Sequence, residues 1–110
     1  MEVKKEEKHD CYAIKITAED NGVVLGRAYL YVIFNDLGKG PYGFLEDVFV
    51  EESARKHGLG TQLVQAVIEE AKTLGCKKII GTSRYSRPEV HAWYEGMGFK
   101  DYGKEFRLDL

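Results

Sequence analysis

Arg55-Lys56-His57-Gly58-Leu59-Gly60-Thr61 places two glycines among basic residues, immediately before apolar residues that recur at helical spacing. A glycine-rich turn at a helix start exposes several unpaired N–H groups at the positive end of the helix dipole. Such a place suits a phosphate, whose oxygens supply the missing acceptors. Gly58 and Gly60 let the backbone come close to an anion, Arg55 and Lys56 add charge, and His57 lies within reach. Two familiar phosphate loops do not fit. No Lys-Thr or Lys-Ser follows the glycines, as a P-loop requires, and Leu63 stands where a dinucleotide fingerprint needs its third glycine. A loop that uses glycine only to turn sharply would read the same, so the motif alone leaves both roles open.

Two further places have chemical potential. Glu46 and Asp47 sit mid-way along an apolar segment, Phe44 to Val50. Carboxylates there are costly to bury without partners. Tyr94 lies on an apolar stripe with Val90, Trp93 and Met97, where a phenol is either core packing or a proton donor. No His/Cys/Asp spacing matches a zinc site, so no metal is expected.

The elements that must position these residues follow from periodicity. Residues 11–18 alternate, with Tyr12, Ile14 and Ile16 on one face. Asn21-Gly22 predicts a tight hairpin, and Val23 to Phe34 is the return strand. Asn35 to Gly43 holds three glycines and Pro41, hence a loop. Strict alternation over 44–50 puts Phe44, Glu46, Val48 and Val50 on one face, and Leu45, Asp47 and Phe49 on the other. The two carboxylates then point apart unless a bulge intervenes. Leu59, Leu63, Val64, Val67, Ile68, Ala71 and Leu74 predict a helix stopped by Gly75. Lys77 to Thr82 is a short strand, parallel to 44–50 through a right-handed crossover. Ser86-Arg87-Pro88-Glu89 reads as a capping box with Ser86 as N-cap. The second helix ends at Gly98, and a last hairpin is expected over 99–102 and 105–110.

Composition bounds the class. A chain of 110 residues is one domain, with the charged residues 1–10 expected to fray. With Lys plus Arg at 16 and Asp plus Glu at 18, the net charge is −2, which argues against a nucleic-acid partner. The longest apolar run, Ala28 to Phe34, falls far short of the roughly 20 residues that span a membrane. The N-terminus is charged and not a signal peptide, and Cys11 and Cys76 form no C-x-x-C. Reduced thiols and a cytoplasmic location are expected.

Three segments together resemble the GNAT superfamily, the acyl-CoA-dependent N-acetyltransferases. Arg55-x-x-Gly58-x-Gly60 matches its [RQ]-x-x-G-x-[GA] signature. Leu45-Glu46-Asp47-Val48-Phe49-Val50 is similar to its splayed central strand, and Tyr94-Glu95-Gly96-Met97-Gly98-Phe99 to its Y-E-x-x-G-F segment. The resemblance covers about residues 11–110. It implies an α/β fold: a mixed, mostly antiparallel sheet with a parallel βαβ core and two helices. It implies acetyl-CoA as co-substrate, with pyrophosphate on the amides of Arg55 to Thr61 (Arg55, Lys56, His57, Gly58, Leu59, Gly60, Thr61). The pantetheine arm would run along Val48, Phe49 and Val50 as an added strand, with the acetyl oxygen on an amide near Phe49 or Val50. Tyr94 stands where the family places its general acid. The acceptor is an amine, in solution mostly protonated because its pKa is about 10.4, so a base is needed. Glu46 is the first candidate and Asp47 the second.

The chain also departs from the family pattern. Ten residues before the first strand cannot supply the usual strand and two helices, each helix needing several turns. The expectation is a short variant whose acceptor pocket stays open or is completed by a second subunit, hence a homodimer. Arg87 replaces a common asparagine, leaving Arg84 and Arg87 available to a phosphate or an anionic acceptor. The acceptor is a small cationic amine or a peptide amine. An acyl-CoA-binding module without turnover, and a plain interaction domain, are the competing readings.

Overall fold

The computed structural model describes residues 1–110. Strands β1 (Tyr12–Asp20), β2 (Val23–Ile33), β3 (Tyr42–Val50) and β4 (Ile79–Gly81) form one sheet in the order β1-β2-β3-β4. The first two pairings are antiparallel and β3–β4 is parallel. Helix α1 (Leu59–Thr73) makes the crossover between the parallel strands, and α2 (Pro88–Gly96) follows β4. Asn21 and Gly22 both adopt positive φ, 50° and 78°, as the β1–β2 turn requires.

The α1 side of the sheet holds the core. Ala28, Leu30, Val32 and Leu45 from the sheet meet Leu63, Val64, Val67 and Ala71 from α1. Two glycines are needed where the layers and strands close tightly. A Cβ on Gly43 would lie 2.7 Å from Leu30 Cδ1, and one on Gly26 would lie 2.9 Å from Leu63 Cδ1 and 3.0 Å from the Phe49 carbonyl oxygen.

The strict alternation expected over 44–50 does not hold. Leu30 pairs with Leu45 and Tyr29 with Glu46, but Arg27 pairs with Phe49 and Gly26 with Val50. Ala28 therefore faces two residues, Asp47 and Val48, which is a β-bulge. Asp47 sits at φ 52°, in the left-handed region. The extra residue reverses the pleat, so Val48 and Val50 join Leu45 against the core. Glu46 and Phe49 share the opposite face, and Asp47 also reaches that face to bind Arg27.

Two other expectations fail. The capping box does not form: the N-cap of α2 is Arg87, without a side-chain cap bond, and Pro88 opens the helix. Glu89 lies 3.7 Å from the Arg87 guanidinium instead of reaching back to the chain. The last hairpin is also absent, because residues 97–110 carry no strand. Phe106, Leu108 and Leu110 alternate as a strand would, yet they are 90%, 82% and 114% exposed. Alternation fixes which way side chains would face on a sheet; it does not supply a sheet edge to pair with.

Candidate active site

The parallel ladder stops early. Its last pair is Leu45 with Gly81, where β4 ends, while β3 continues to Val50. The edge of β3 from Glu46 to Val50 is thus left open on the β4 side. Glu51 N–H donates to Leu25 O on β2 at 2.8 Å, so the carbonyl of Val50 points the other way, into this gap. In an extended residue the N–H shares that direction. Arg55 Nε donates to the Val50 carbonyl at 2.9 Å, which leaves the Val50 amide as the open donor.

At the end of the gap, β3 runs through a short 3-10 turn (Glu52–Ala54) into the glycine loop. Lys56 and Gly58 take positive φ, 69° and 77°, which folds the backbone back before α1. The first backbone bond of the helix is Gln62 N–H to Gly58 O, 3.0 Å. The amides of Leu59, Gly60 and Thr61 precede it and form the donor end of the dipole. A cavity of about 170 Å³ opens here, lined by Val50, Arg55, Lys56, Gly58, Leu59, Gly60 and Thr61, with Ala54 and Trp93. Most of the loop predicted from sequence converges on one cavity. His57 is exposed and does not line it, and Val48 and Phe49 lie further back along β3.

Trp93, on the apolar stripe of α2, belongs to this cavity. Its indole Nε1 donates to Thr61 Oγ1 at 2.9 Å, tying α2 to the first turn of α1. Its ring lies 3.6 Å from where a Cβ on Gly60 would stand. A tryptophan on an apolar stripe gives no local sign that its polar edge reaches a residue 32 positions away. Beside it, Tyr94 is half-buried, packed edge-on against Phe99 at 5.2 Å and tilted against Trp93 at 5.0 Å. Its phenol carbon Cζ lies 3.9 Å from a Cβ built on Gly81, at the end of the parallel ladder. Burial, with Glu46 second, pushes its pKa above the usual phenol value, against a lowering by Arg87. The phenol therefore holds its proton at neutral pH.

The two carboxylates differ. Arg27 donates to both oxygens of Asp47, Nε to Oδ2 at 2.8 Å and Nη2 to Oδ1 at 3.0 Å. That bidentate hydrogen bond holds the Asp47 carboxyl below the usual carboxylate range. Glu46 is exposed and has no ion-pair partner. His91 Nε2 contacts the Arg84 carbonyl at 2.7 Å and so braces the turn before α2. No group of three His, Cys, Asp or Glu side chains stands close enough to hold a metal ion. No helix is long and apolar enough to cross a membrane.

A mixed sheet whose parallel pair parts beside a donor-rich helix start is the arrangement the three motifs implied. The model of the Acetyltransferase (GNAT) family matches residues 1–99, and the chain belongs to that family. Among curated relatives, it is 38% identical over 71 residues to a probable glucosamine 6-phosphate N-acetyltransferase of Oryza sativa subsp. japonica, covering 64% of this chain and 41% of that protein. It is 31% identical over 71 residues to an aminoglycoside N(6')-acetyltransferase type 1 of Acinetobacter genomosp. 13, covering 64% of this chain and 49% of the relative. The chain thus spans less than half the length of these relatives. Of solved structures, a putative acetyltransferase from Agrobacterium tumefaciens str. C58 superposes with a TM-score of 0.83 at 30% identity, covering 89% of this chain and 69% of that one. The aminoglycoside acetyltransferase AAC(6')-Iy, solved with a CoA-linked bisubstrate analogue, shares the fold at a TM-score of 0.74 and 23% identity, over 89% of this chain and 69% of that one.

Proposed function

We propose that this chain is an N-acetyltransferase that moves acetyl from acetyl-CoA to a primary amine by direct attack. The observation that carries the reading is the open β3 edge leading into the cavity of the glycine loop. An elongated ligand with an anionic end fits such a trough: phosphates on the amides of Leu59, Gly60 and Thr61, and an amide-bearing arm along Val48 to Val50. Acetyl-CoA has that form and supplies an activated acyl group on sulfur. Arg55 and Lys56 add charge where the phosphates would lie.

The residues then divide the work. The Val50 amide, aimed into the gap, is the donor for the acetyl oxygen, where negative charge develops. Glu46, free and on the face away from α1, takes the proton of the incoming ammonium directly or through water. Asp47, occupied by Arg27, is not available for that. The amine nitrogen bonds to the acetyl carbon, the carbon–sulfur bond breaks, and Tyr94 donates its proton to the departing sulfur. The remaining extra proton on the acylated nitrogen passes through water to the Tyr94 phenolate, leaving the neutral amide. The two curated relatives described above are named for amino-sugar acceptors, so amino sugars are the first acceptors to assay, with small polyamines and peptide amines beside them. A second copy completing the acceptor side, a homodimer, is part of the same proposal, as is a cytoplasmic location with reduced cysteines.

Calorimetric titration with acetyl-CoA, with CoA and ATP as controls, tests the site. Binding of acetyl-CoA but not ATP is expected. Gly60→Asp should abolish it, because a carboxylate would then stand beside Trp93 at the phosphate position. Thiol release with an amine panel tests turnover. Wild-type binding without turnover on any amine would leave an acyl-CoA-binding module. No binding at millimolar acetyl-CoA would overturn the reading.

A further inference from the structure

Arg27 engages both sides of the β3 bulge at once. Its guanidinium forks onto Asp47, at 2.8 and 3.0 Å, and lies 4.7 Å from the centroid of the Phe49 ring. It thereby grips the residue before Val48 and the residue after it. Asp47 needs that grip. Its φ of 52° is unfavourable for a residue with a Cβ, and nothing else in the structure binds its carboxylate. If Asp47 relaxed to an extended conformation, the extra residue would shift along the strand. A one-residue shift moves side chains and amides to the opposite direction. Glu46 and the Val50 amide stand on either side of the bulge, so their relative placement depends on where it sits.

We infer that Arg27 is a positioning residue for acetyl transfer: its fork on Asp47 and its contact with Phe49 hold the β3 bulge in the register that sets Glu46 and the Val50 amide relative to one another. This rests on the reaction proposed above. Arg27 acts through the backbone of residues 46–50. The ion pair is partly exposed, 37% and 49% for the two side chains, so its main contribution is geometric rather than to overall stability.

The test uses the positive φ itself. Glycine adopts that conformation without penalty, so Asp47→Gly supplies a bulge that needs no strap. Arg27→Gln is expected to lower kcat roughly tenfold to a hundredfold, since small misplacements of reacting groups cost that much. KM for acetyl-CoA should rise by less than kcat falls, because the phosphate loop is untouched and only the arm along Val48 to Val50 loses part of its hold. Adding Asp47→Gly to Arg27→Gln should restore most of the loss, and Arg27→Lys, which keeps charge but not the fork, should fall between. Amide hydrogen exchange over residues 46–50 is read in parallel, faster in Arg27→Gln and slowed again in the double variant. Unchanged exchange in Arg27→Gln would overturn the strap, as would a double variant as slow in turnover as the single one. Faster exchange with wild-type turnover would overturn its role in the reaction. If the wild-type protein turns over no amine, the proposed reaction fails, and the exchange data alone decide whether Arg27 holds the bulge. If Arg27→Gln does not fold, Arg27→Lys and Asp47→Gly carry the same comparison.

Discussion

In the proposed reaction Tyr94 gives a proton and Glu46 takes one, and the two side chains sit in different surroundings. The phenol is half-buried between Trp93 and Phe99, which favours its neutral, proton-bearing form. Glu46 stays exposed and has no ion-pair partner. Tyr94→Phe is expected to reduce kcat about a hundredfold, as loss of a general acid does, with acetyl-CoA affinity unchanged by calorimetry. A general acid works only while protonated, and burial raises the Tyr94 pKa above the ordinary phenol value. The alkaline limb of wild-type turnover should therefore lie beyond the ordinary phenol range, and should vanish in Tyr94→Phe. Both residues are candidates from their motif contexts alone. What separates Glu46 from Asp47 is Arg27, twenty positions earlier, which occupies only the second.

At the scale of elements, the order of strands and helices through α2 followed the periodicities with boundaries moved by a residue or two, and the hairpin expected over 99–110 did not form. The bulge was hidden. Leu45 to Val50 is apolar on both faces in either register, so its pattern contains no mark of the extra residue. Pairing with β2 decides it. The strap also has a pH signature. The Arg27 fork holds the Asp47 carboxyl below the usual carboxylate range in the folded protein. Its contribution to stability is present above pH about 4 and is lost as pH falls through the lowered value. Asp47→Asn should therefore lose less stability than wild type between pH 7 and pH 3, measured by urea unfolding at each pH. Gly26→Ala tests the other tight point in β2. Its Cβ would press on the Phe49 carbonyl and Leu63, and overpacking of that kind costs about 1–3 kcal/mol.

The whole molecule is more extended than a chain of its length needs to be. Its radius of gyration is 16.1 Å, against about 13 Å for a compact chain of similar size. Residues 1–10 and 100–110 are exposed throughout. The folded part rests on an eight-residue core between one face of the sheet and α1. Ligand binding should therefore register strongly in stability. At acetyl-CoA a hundredfold above its Kd, binding contributes about 2.7 kcal/mol. For a domain this small that is a rise of roughly 10 °C in Tm, readable by scanning calorimetry, and absent in Gly60→Asp. Light scattering at micromolar concentration should give the mass of a dimer; a monomeric mass would remove the second subunit from the acceptor side.

What the sequence by itself determined is local: the hairpin at Asn21-Gly22, the amphipathic α1, the glycine loop that precedes it, and the aromatic pair in α2. Each is written within a few residues, where spacing and backbone preference act directly. Tertiary structure decided the rest. It set the pleat reversal at Asp47, the end of the parallel ladder at Gly81, and the Trp93–Thr61 bond that closes the loop cavity. It also left Phe106, Leu108 and Leu110 unpaired and exposed. These depend on contacts between distant segments. The direction of a side chain or amide on a strand reverses with a single residue of register, and only the neighbouring strand sets that register.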